Sequence, residues 1–161
     1  MGKMGREIAG PNVEKIIKLL NKAYADEWLA YYQYWIGAKV VSGKMRLNVE
    51  QELEEHAQEE LAHAEELAKL IIQLGGTPLL RPQDWIEKTN CGYNAPDNPD
   101  VKAVLKQNID GERCAIKVYK DLLEYLGKEG DQLSFHAVID ILEDEVEHER
   151  DLENLLEDIE A

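Results

Sequence analysis

The chain has few basic residues and no long apolar run. It carries 18 lysines and arginines against 33 aspartates and glutamates, which gives a net charge of −15. A surface of that sign repels a phosphate backbone, and the N-terminal segment offers only Lys3 and Arg6, so we expect no nucleic-acid binding. No stretch of about 18 apolar residues occurs, so we also expect no membrane span.

The N-terminal residues lack the features of a targeting segment. Residues 1–6 contain no hydrophobic stretch, and Arg6 stands where a myristoylation motif has Ser or Thr. We therefore expect a cytoplasmic protein. The helical stretches contain no linker rich in Gly, Ser or Pro, and 44% of the residues are apolar. We predict one domain over residues 1–161.

Two Glu-x-x-His pairs, each preceded by a lone glutamate, form the strongest pattern that is present. Thirty-three residues separate each lone glutamate from the glutamate of its pair, and 85 residues separate the matching positions of the two halves. Two helices that each give one Glu, and two that each give Glu-x-x-His, form the ligand set of di-iron and di-manganese carboxylate sites. The predicted ligands are Glu27, Glu60, His63, Glu112, Glu145 and His148.

These residues fall in apolar stripes, which argues against ordinary solvated pairs. In the second helix the stripe has steps of three and four, and it consists of Leu53, His56, Glu60, His63, Leu67, Leu70 and Leu74. Four buried carboxylates at one level would cost several kcal/mol each without compensating charge. Two divalent ions would supply that charge. Three roles remain open for His56: it could support a ligand of the centre, bind a third metal, or be a core histidine whose ring nitrogens are hydrogen-bonded.

The glycine, proline and capping residues along the chain predict four long helices. We expect them over about 12–41, 47–74 and 99–125 and from a cap at Asp131 onward, with a turn at Gly127 to Gly130. A short helix is predicted over Arg81–Thr89. The segment between Gly75 and Asn98 is too long for a helix hairpin, but ~24 extended residues reach ~80 Å. It can therefore cross a bundle whose helices are ~42 Å long. We predict an all-α four-helix bundle with a long crossover between helices 2 and 3.

With these ligands and this topology, the sequence resembles the ferritin-like superfamily. Bacterioferritins have the same 33-residue spacing, and Tyr34 falls on their site-adjacent tyrosine. The resemblance implies a ferroxidase that binds two Fe(II) per subunit, oxidises them with hydrogen peroxide or dioxygen and stores ferric mineral. Hydrogen peroxide is the oxidant that the resemblance favours, which would give antioxidant protection.

Three departures from bacterioferritins affect these expectations. Leu61 stands in place of their haem-ligating Met, so we expect no haem. Leu67 and Asp151 replace two aromatic residues near the site, which puts a radical route through those positions in doubt. The chain ends 13 residues after His148, too soon for the fifth helix of 24-subunit ferritins. We therefore expect a homo-oligomeric shell of 12 subunits.

The two cysteines resemble the pair that marks the Dps-like thioferritin group. Cys91 lies in the crossover, and Cys114 points by helical wheel about 200° away from Glu112, toward the side where the crossover must pass. The resemblance implies a redox cysteine pair. Two unrelated reduced thiols, which are usual in a cytosol, are the alternative.

Two other functions remain open at this stage. A rubrerythrin-like peroxidase or a manganese catalase would use the same ligands without storage, although no Cys-x-x-Cys pair supports the first. A non-enzymatic acidic bundle that binds a partner is the second alternative. The ligand types accept Fe, Mn or Zn, so the sequence does not fix the native metal.

Overall fold

The computed structural model describes residues 2–129 and 131–161, and helices make up most of them. Two of the helices are short and four are long. Their bounds are α1 Lys3–Ala9, α2 Val13–Val40, α3 Arg46–Gln73, α4 Pro82–Lys88, α5 Val101–Glu129 and α6 Gln132–Glu160. The predicted all-α bundle is therefore confirmed. Within the described residues, no helix combines the length and apolarity that crossing a membrane requires.

The long helices form two hairpins that pack against each other. α2 packs along α3 and α5 along α6, while α2–α5 and α3–α6 contacts join the hairpins. The predicted crossover occupies residues 74–100 and carries α4 along α2, where Trp85 stacks on Trp28 with ring centroids 4.9 Å apart. Its end is fixed by main-chain bonds of Ser42 to Pro99 (2.8 Å) and Val101 (2.9 Å).

Several predicted boundaries are correct. α4 falls inside the predicted segment 81–89, and the Asp131 side chain caps α6 by accepting from the Ser134 main-chain N–H at 3.1 Å. α2 and α3 end within one residue of the predicted positions. α1 was not predicted, and Arg6 on it donates to the carbonyl of Leu74 at the end of α3 (3.0 Å).

The boundaries of α5 were predicted wrongly. The helix begins at Val101 rather than at Pro99 because the Pro99 carbonyl is bonded to Ser42 instead of opening a helix. The Asp100 carboxylate then accepts from the main-chain N–H of Lys102 at 3.0 Å. At its other end α5 continues past 125, so Gly127 is helical and not part of a turn. Gly130, the end of the predicted turn, lies outside the described residues.

The apolar core consists of two clusters with a polar layer between them. On α2, Ala23 belongs to one cluster and Tyr34 to the other, and Glu27 lies between them. On α3, Ala57 and Leu67 enclose Glu60 in the same way. The glutamates and histidines of the polar layer are therefore held at mid-length by packed side chains above and below.

Candidate metal centre

The six predicted ligands converge in the polar layer. Each is at most 6% exposed. Two groups of four residues bring their ligand atoms within 4.8 Å of one another, and both groups contain Glu60 and Glu145. Glu27 and His63 complete the first group, and Glu112 and His148 complete the second. The sequence repeat thus folds into two adjoining groups of ligand residues, and the two groups share two carboxylates.

The shared carboxylates each present one oxygen to each histidine. Nδ1 of His63 lies 3.4 Å from Oε2 of Glu60 and 3.6 Å from Oε1 of Glu145. Nδ1 of His148 lies 3.3 Å from the other oxygen of Glu60 and 3.1 Å from the other oxygen of Glu145. Ligands held ~2.1 Å from one ion are separated by roughly 3–4 Å, so these distances suit a bridge between two ions.

The remaining two glutamates lie at opposite ends of the pair. Oε2 of Glu27 is 3.5 Å from Nδ1 of His63, and Oε1 of Glu112 is 3.8 Å from Nδ1 of His148. Each can therefore act as a terminal ligand of one ion. Between them the four carboxylates and two imidazoles would balance the charge of two divalent ions.

Several atoms that face this space have no hydrogen-bond partner. They belong to described residues and are Oε2 of Glu27, Oε2 of Glu112, both carboxylate oxygens of Glu145 and Nδ1 of His148. Buried polar atoms are nearly always paired in folded proteins. Metal ions at this position would satisfy all of these atoms, so the residues fit a two-metal centre.

Burial and mutual repulsion perturb the carboxyl groups. The pKa values of Glu27 and Glu112 are raised well above the ordinary range by burial and by the charges of Glu145 and Glu60. Burial acts on Glu60 in the same direction, but its close contacts with Glu27, His148 and His63 outweigh burial and lower its pKa. Without metal, the centre therefore retains protons on part of its ligand set.

The two candidate ligand histidines are also protonated when no metal is bound. Burial lowers their pKa values, but the surrounding carboxylates raise them by more. The result for His148 is a pKa of about 12, and that of His63 is raised still further. Metal binding must displace these protons because imidazole binds metal through an unprotonated nitrogen.

Two buried tyrosines hold the terminal glutamates. The Tyr34 hydroxyl donates to Oε1 of Glu112, and the Tyr119 hydroxyl donates to Oε1 of Glu27. Tyr34 was predicted beside the site, whereas no role was predicted for Tyr119. The sequence did contain a signal, because Tyr34 and Tyr119 are separated by the same 85 residues as the paired ligands.

Two acidic residues bind the outer nitrogens of the histidines, and the sequence analysis missed both. Nε2 of His63 lies 3.0 Å from Asp144, and Nε2 of His148 lies 2.5 Å from Glu59. A carboxylate at Nε2 fixes the tautomer that leaves Nδ1 free for metal. Each acid directly precedes the glutamate of the opposite Glu-x-x-His pair, so the same repeat pointed to them.

A disulfide lines one approach to the centre. Cys91 and Cys114 are bonded, with their Cα atoms 5.9 Å apart, so the thiol alternative does not describe this structure. Both line a cavity of ≈ 170 Å³ that also reaches Glu27 and Glu112. The cavity lies between α2 and α5, below the crossover. It therefore connects the disulfide to the carboxylates of the centre.

Asp26 fixes the crossover at this point and was not identified from the sequence. Its carboxylate accepts bonds from the Thr89 hydroxyl, the Asn90 main chain (2.7 Å) and side chain (2.6 Å), and the Cys91 main chain (3.0 Å). Asp26 precedes Glu27 on α2, so one helical turn anchors both the metal centre and the crossover. No pattern in the sequence links these partners.

Comparison with known proteins identifies the family. A model described as a ferritin-like domain matches residues 17–161, so the chain belongs to the ferritin-like family. A dodecameric thioferritin of the bacterial domain, the bacterioferritin-related protein from Bacteroides fragilis, is similar to it. The two share 43% identity over 98% of this chain and 94% of that one, with a TM-score of 0.93.

Two further relatives connect the chain to both groups that the sequence suggested. The DNA protection during starvation protein of Pyrococcus furiosus is 32% identical over 152 residues, 93% of this chain and 81% of that protein. The bacterioferritin of Desulfovibrio desulfuricans, whose structure was described with a diiron site, is 25% identical. The superposition covers 92% of this chain and 82% of that chain, with a TM-score of 0.80. The predicted resemblance to the ferritin-like superfamily is confirmed.

Proposed function

We propose that this protein is a cytoplasmic ferroxidase that oxidises two Fe(II) ions per chain at the centre and passes the product to a ferric mineral. The observation that carries the proposal is the pair of four-residue groups that share Glu60 and Glu145. Membership of the ferritin-like family supports iron oxidation and storage at the level of the family. With hydrogen peroxide, two Fe(II) give up two electrons, and one peroxide and two protons become two waters.

Each candidate ligand has a task in the proposed reaction. Glu60 and Glu145 bridge the two substrate ions and hold them side by side, so both can be oxidised by one two-electron oxidant. Glu27 with His63, and Glu112 with His148, bind one ion each. Carboxylate ligands favour the ferric product because they supply negative charge to a more highly charged ion.

The residues around the ligands position them for this task. Tyr34 and Tyr119 restrain the terminal glutamates, while Asp144 and Glu59 set the orientation of the imidazoles. Packed apolar clusters on both sides exclude bulk water from the polar layer. Such support commonly changes metal affinity by roughly 10- to 100-fold.

We also propose that Cys91 and Cys114 form a redox pair beside the centre. Both cysteines line the cavity that also reaches Glu27 and Glu112, so an oxidant in that cavity would lie beside them. Oxidation of the two thiols by hydrogen peroxide forms the disulfide and two waters. In reduced protein treated with Fe(II) and limiting hydrogen peroxide, free thiol should therefore be lost as iron is oxidised.

For the assembly we propose a shell of 12 subunits without haem. The dodecameric relative from Bacteroides fragilis supports the subunit number, and closed symmetry is the usual form of homo-oligomers. Purified protein should then have a mass of about 220 kDa, twelve times the 18.4 kDa chain. Mass photometry that finds only dimers or 24-subunit particles would contradict this assembly.

Stopped-flow measurement of Fe(II) oxidation tests the catalytic proposal. Glu60→Ala and Glu145→Ala each remove a bridging carboxylate, and each variant should lose the fast oxidation phase. Glu65→Ala on α3 and Glu143→Ala on α6 are matched controls because both side chains are exposed. Oxidation at the wild-type rate in both bridging variants would refute the assignment of the centre.

A further inference from the structure

Asp26 holds the crossover at Cys91 and has no part in the proposed iron chemistry. The residue is buried, with 8% of its surface exposed. Its Oδ1 accepts hydrogen bonds from the Thr89 hydroxyl and from the main-chain N–H groups of Asn90 and Cys91, while Oδ2 accepts from the Asn90 side chain. Hydrogen bonds to a carboxylate are among the strong ones, so this contact is a firm attachment point.

Thr89 extends the attachment to the residues that follow it. Its hydroxyl oxygen accepts from the main-chain N–H groups of Cys91 (3.1 Å) and Gly92 (2.9 Å). Its own N–H donates to the Trp85 carbonyl at the end of α4 (3.0 Å). Gly92 has a φ of 75°, a left-handed conformation that glycine adopts without strain. The main chain at Cys91 is therefore held from both α2 and α4.

The bonds that hold Cys91 do not use its sulfur. Their donors are main-chain N–H groups, a hydroxyl and a side-chain amide, so reduction of the disulfide leaves each donor and acceptor intact. Cys114 is on α5, whose position is set by packing along α6. The Cα atoms of the two cysteines are 5.9 Å apart, a usual separation for a disulfide. The attachment of the crossover therefore does not depend on the sulfur–sulfur bond.

A cysteine pair that is held in advance closes more favourably than a flexible pair. Cys91 and Cys114 are 23 residues apart in the sequence, and bringing the ends of a free segment together costs conformational entropy. A flexible link gives an effective concentration only in the millimolar range. Where the fold has already ordered the segment, that entropy is not lost again when the sulfur–sulfur bond forms.

A second anchor holds the crossover three residues beyond Cys91. The main-chain N–H of Asn94 donates to Oε1 of Gln33 at 3.1 Å. Gly92 lies between this anchor and the cysteine, and glycine is the residue that restrains the backbone least. The Gln33 bond therefore restrains Cys91 less directly than Asp26 does.

We propose that Asp26 is a positioning residue for the cysteine pair: it keeps Cys91 opposite Cys114 when both thiols are reduced, and so favours closure of the disulfide. Asp26 and Glu27 are consecutive on α2 and about 100° apart around the helix, so one side chain meets the crossover while the other faces the metal centre. The thiols are thus kept beside the centre in either redox state. The benefit of this arrangement rests on the proposed redox role of the two cysteines, whereas the positioning itself does not.

Equilibration with glutathione measures the effect of Asp26 on the cysteine pair. Closure of one disulfide reduces one molecule of oxidised glutathione to two molecules of reduced glutathione. The metal-free full chain is equilibrated anaerobically in mixtures of the two forms, and free thiols are then alkylated and counted by mass spectrometry. Asp26→Ala should lower the equilibrium constant for closure at least roughly tenfold.

Three further variants separate positioning from a general loss of structure. Thr89→Val keeps the side-chain shape but removes the hydroxyl, so it should also lower the constant, and it keeps the test decisive if Asp26→Ala does not fold. Asp26→Asn keeps an acceptor oxygen for the main-chain N–H groups and should restore most of the wild-type value. Asp84→Asn is the matched control, because the Asp84 carboxylate belongs to α4 and lies 3.9 Å from Arg81. It should leave the constant unchanged.

Hydrogen exchange of the reduced protein tests the position of Cys91 directly. In reduced wild type the main-chain amides of Asn90 and Cys91 should remain protected, and in reduced Asp26→Ala they should exchange quickly. Equal exchange in the two proteins, or an unchanged equilibrium constant in both Asp26→Ala and Thr89→Val, would overturn the proposal. A wild type that closes its disulfide in glutathione but loses no thiol with Fe(II) and hydrogen peroxide would instead overturn the redox role and leave the positioning by Asp26 standing.

Discussion

Loading the centre with metal should release at least about two protons per chain near neutral pH. Four ligands have raised pKa values in the metal-free protein: Glu27, His63, Glu112 and His148. Both histidines therefore carry a proton at pH 7, and the raised pKa values of the two glutamates favour their protonated forms. Every proton held on a ligand must be lost when that ligand binds an ion. The bound ions then replace these protons as the positive charge that compensates the buried carboxylates.

Isothermal titration calorimetry with Zn(II) measures this number directly. The observed heat, plotted against the ionisation enthalpy of several buffers, has a slope equal to the number of protons released. His56 should add nothing to that slope, because burial and the charge of His148 lower its pKa to about 3. Metal affinity should rise with pH through the neutral range, since the ligands lose protons as the pH rises.

Two variants test whether the released protons come from the buried ligands. Glu112→Gln removes a carboxyl group whose raised pKa favours the protonated form, so this variant should release fewer protons and bind zinc more weakly. His136→Ala, which removes an exposed histidine, should leave the slope at the wild-type value. A slope near zero in the wild type would refute the reasoning, because it would mean that the buried ligands are already unprotonated without metal.

Three further predictions follow from the residues around the centre. Tyr119→Phe should lower zinc affinity roughly 10- to 100-fold in a titration, whereas Tyr32→Phe, at an exposed site, should not. Asp26→Ala should lower the free energy of unfolding by roughly 2–3 kcal/mol in urea, with the exposed Asp121→Ala near wild type. Cys91→Ser should lower it by about 3 kcal/mol under oxidising conditions and abolish the loss of thiol during turnover. Equal stability of Cys91→Ser and oxidised wild type would contradict the last prediction.

The convergence of the six candidate ligands could be predicted because the sequence contains their pattern twice. The 85-residue repeat places Glu27 with Glu112 and Glu60 with Glu145, and helical periodicity then puts them at one level of a bundle. The same repeat contains Tyr119 as the counterpart of Tyr34. It was missed because tyrosine at a core position is more often a packing residue, and only the structure shows its bond to Glu27.

The role of Asp26 and the start of α5 could not be predicted, because both depend on contacts between segments that are distant in the sequence. Asp26 bonds main-chain groups of the crossover, and main-chain groups have no signature in the side-chain pattern. The start of α5 was misplaced for a similar reason, since the Pro99 carbonyl is used by Ser42 on another loop. Local helix signals at residues 98–99 cannot include that long-range bond.

Anomalous scattering at the iron edge, from crystals loaded anaerobically with Fe(II), would test the central claim most directly. We predict two strong peaks in each chain, both within bonding distance of Glu60 and Glu145, with one histidine Nδ1 on each. Iron found only at exposed carboxylates, or a single ion that contacts neither bridging glutamate, would contradict the two-iron centre.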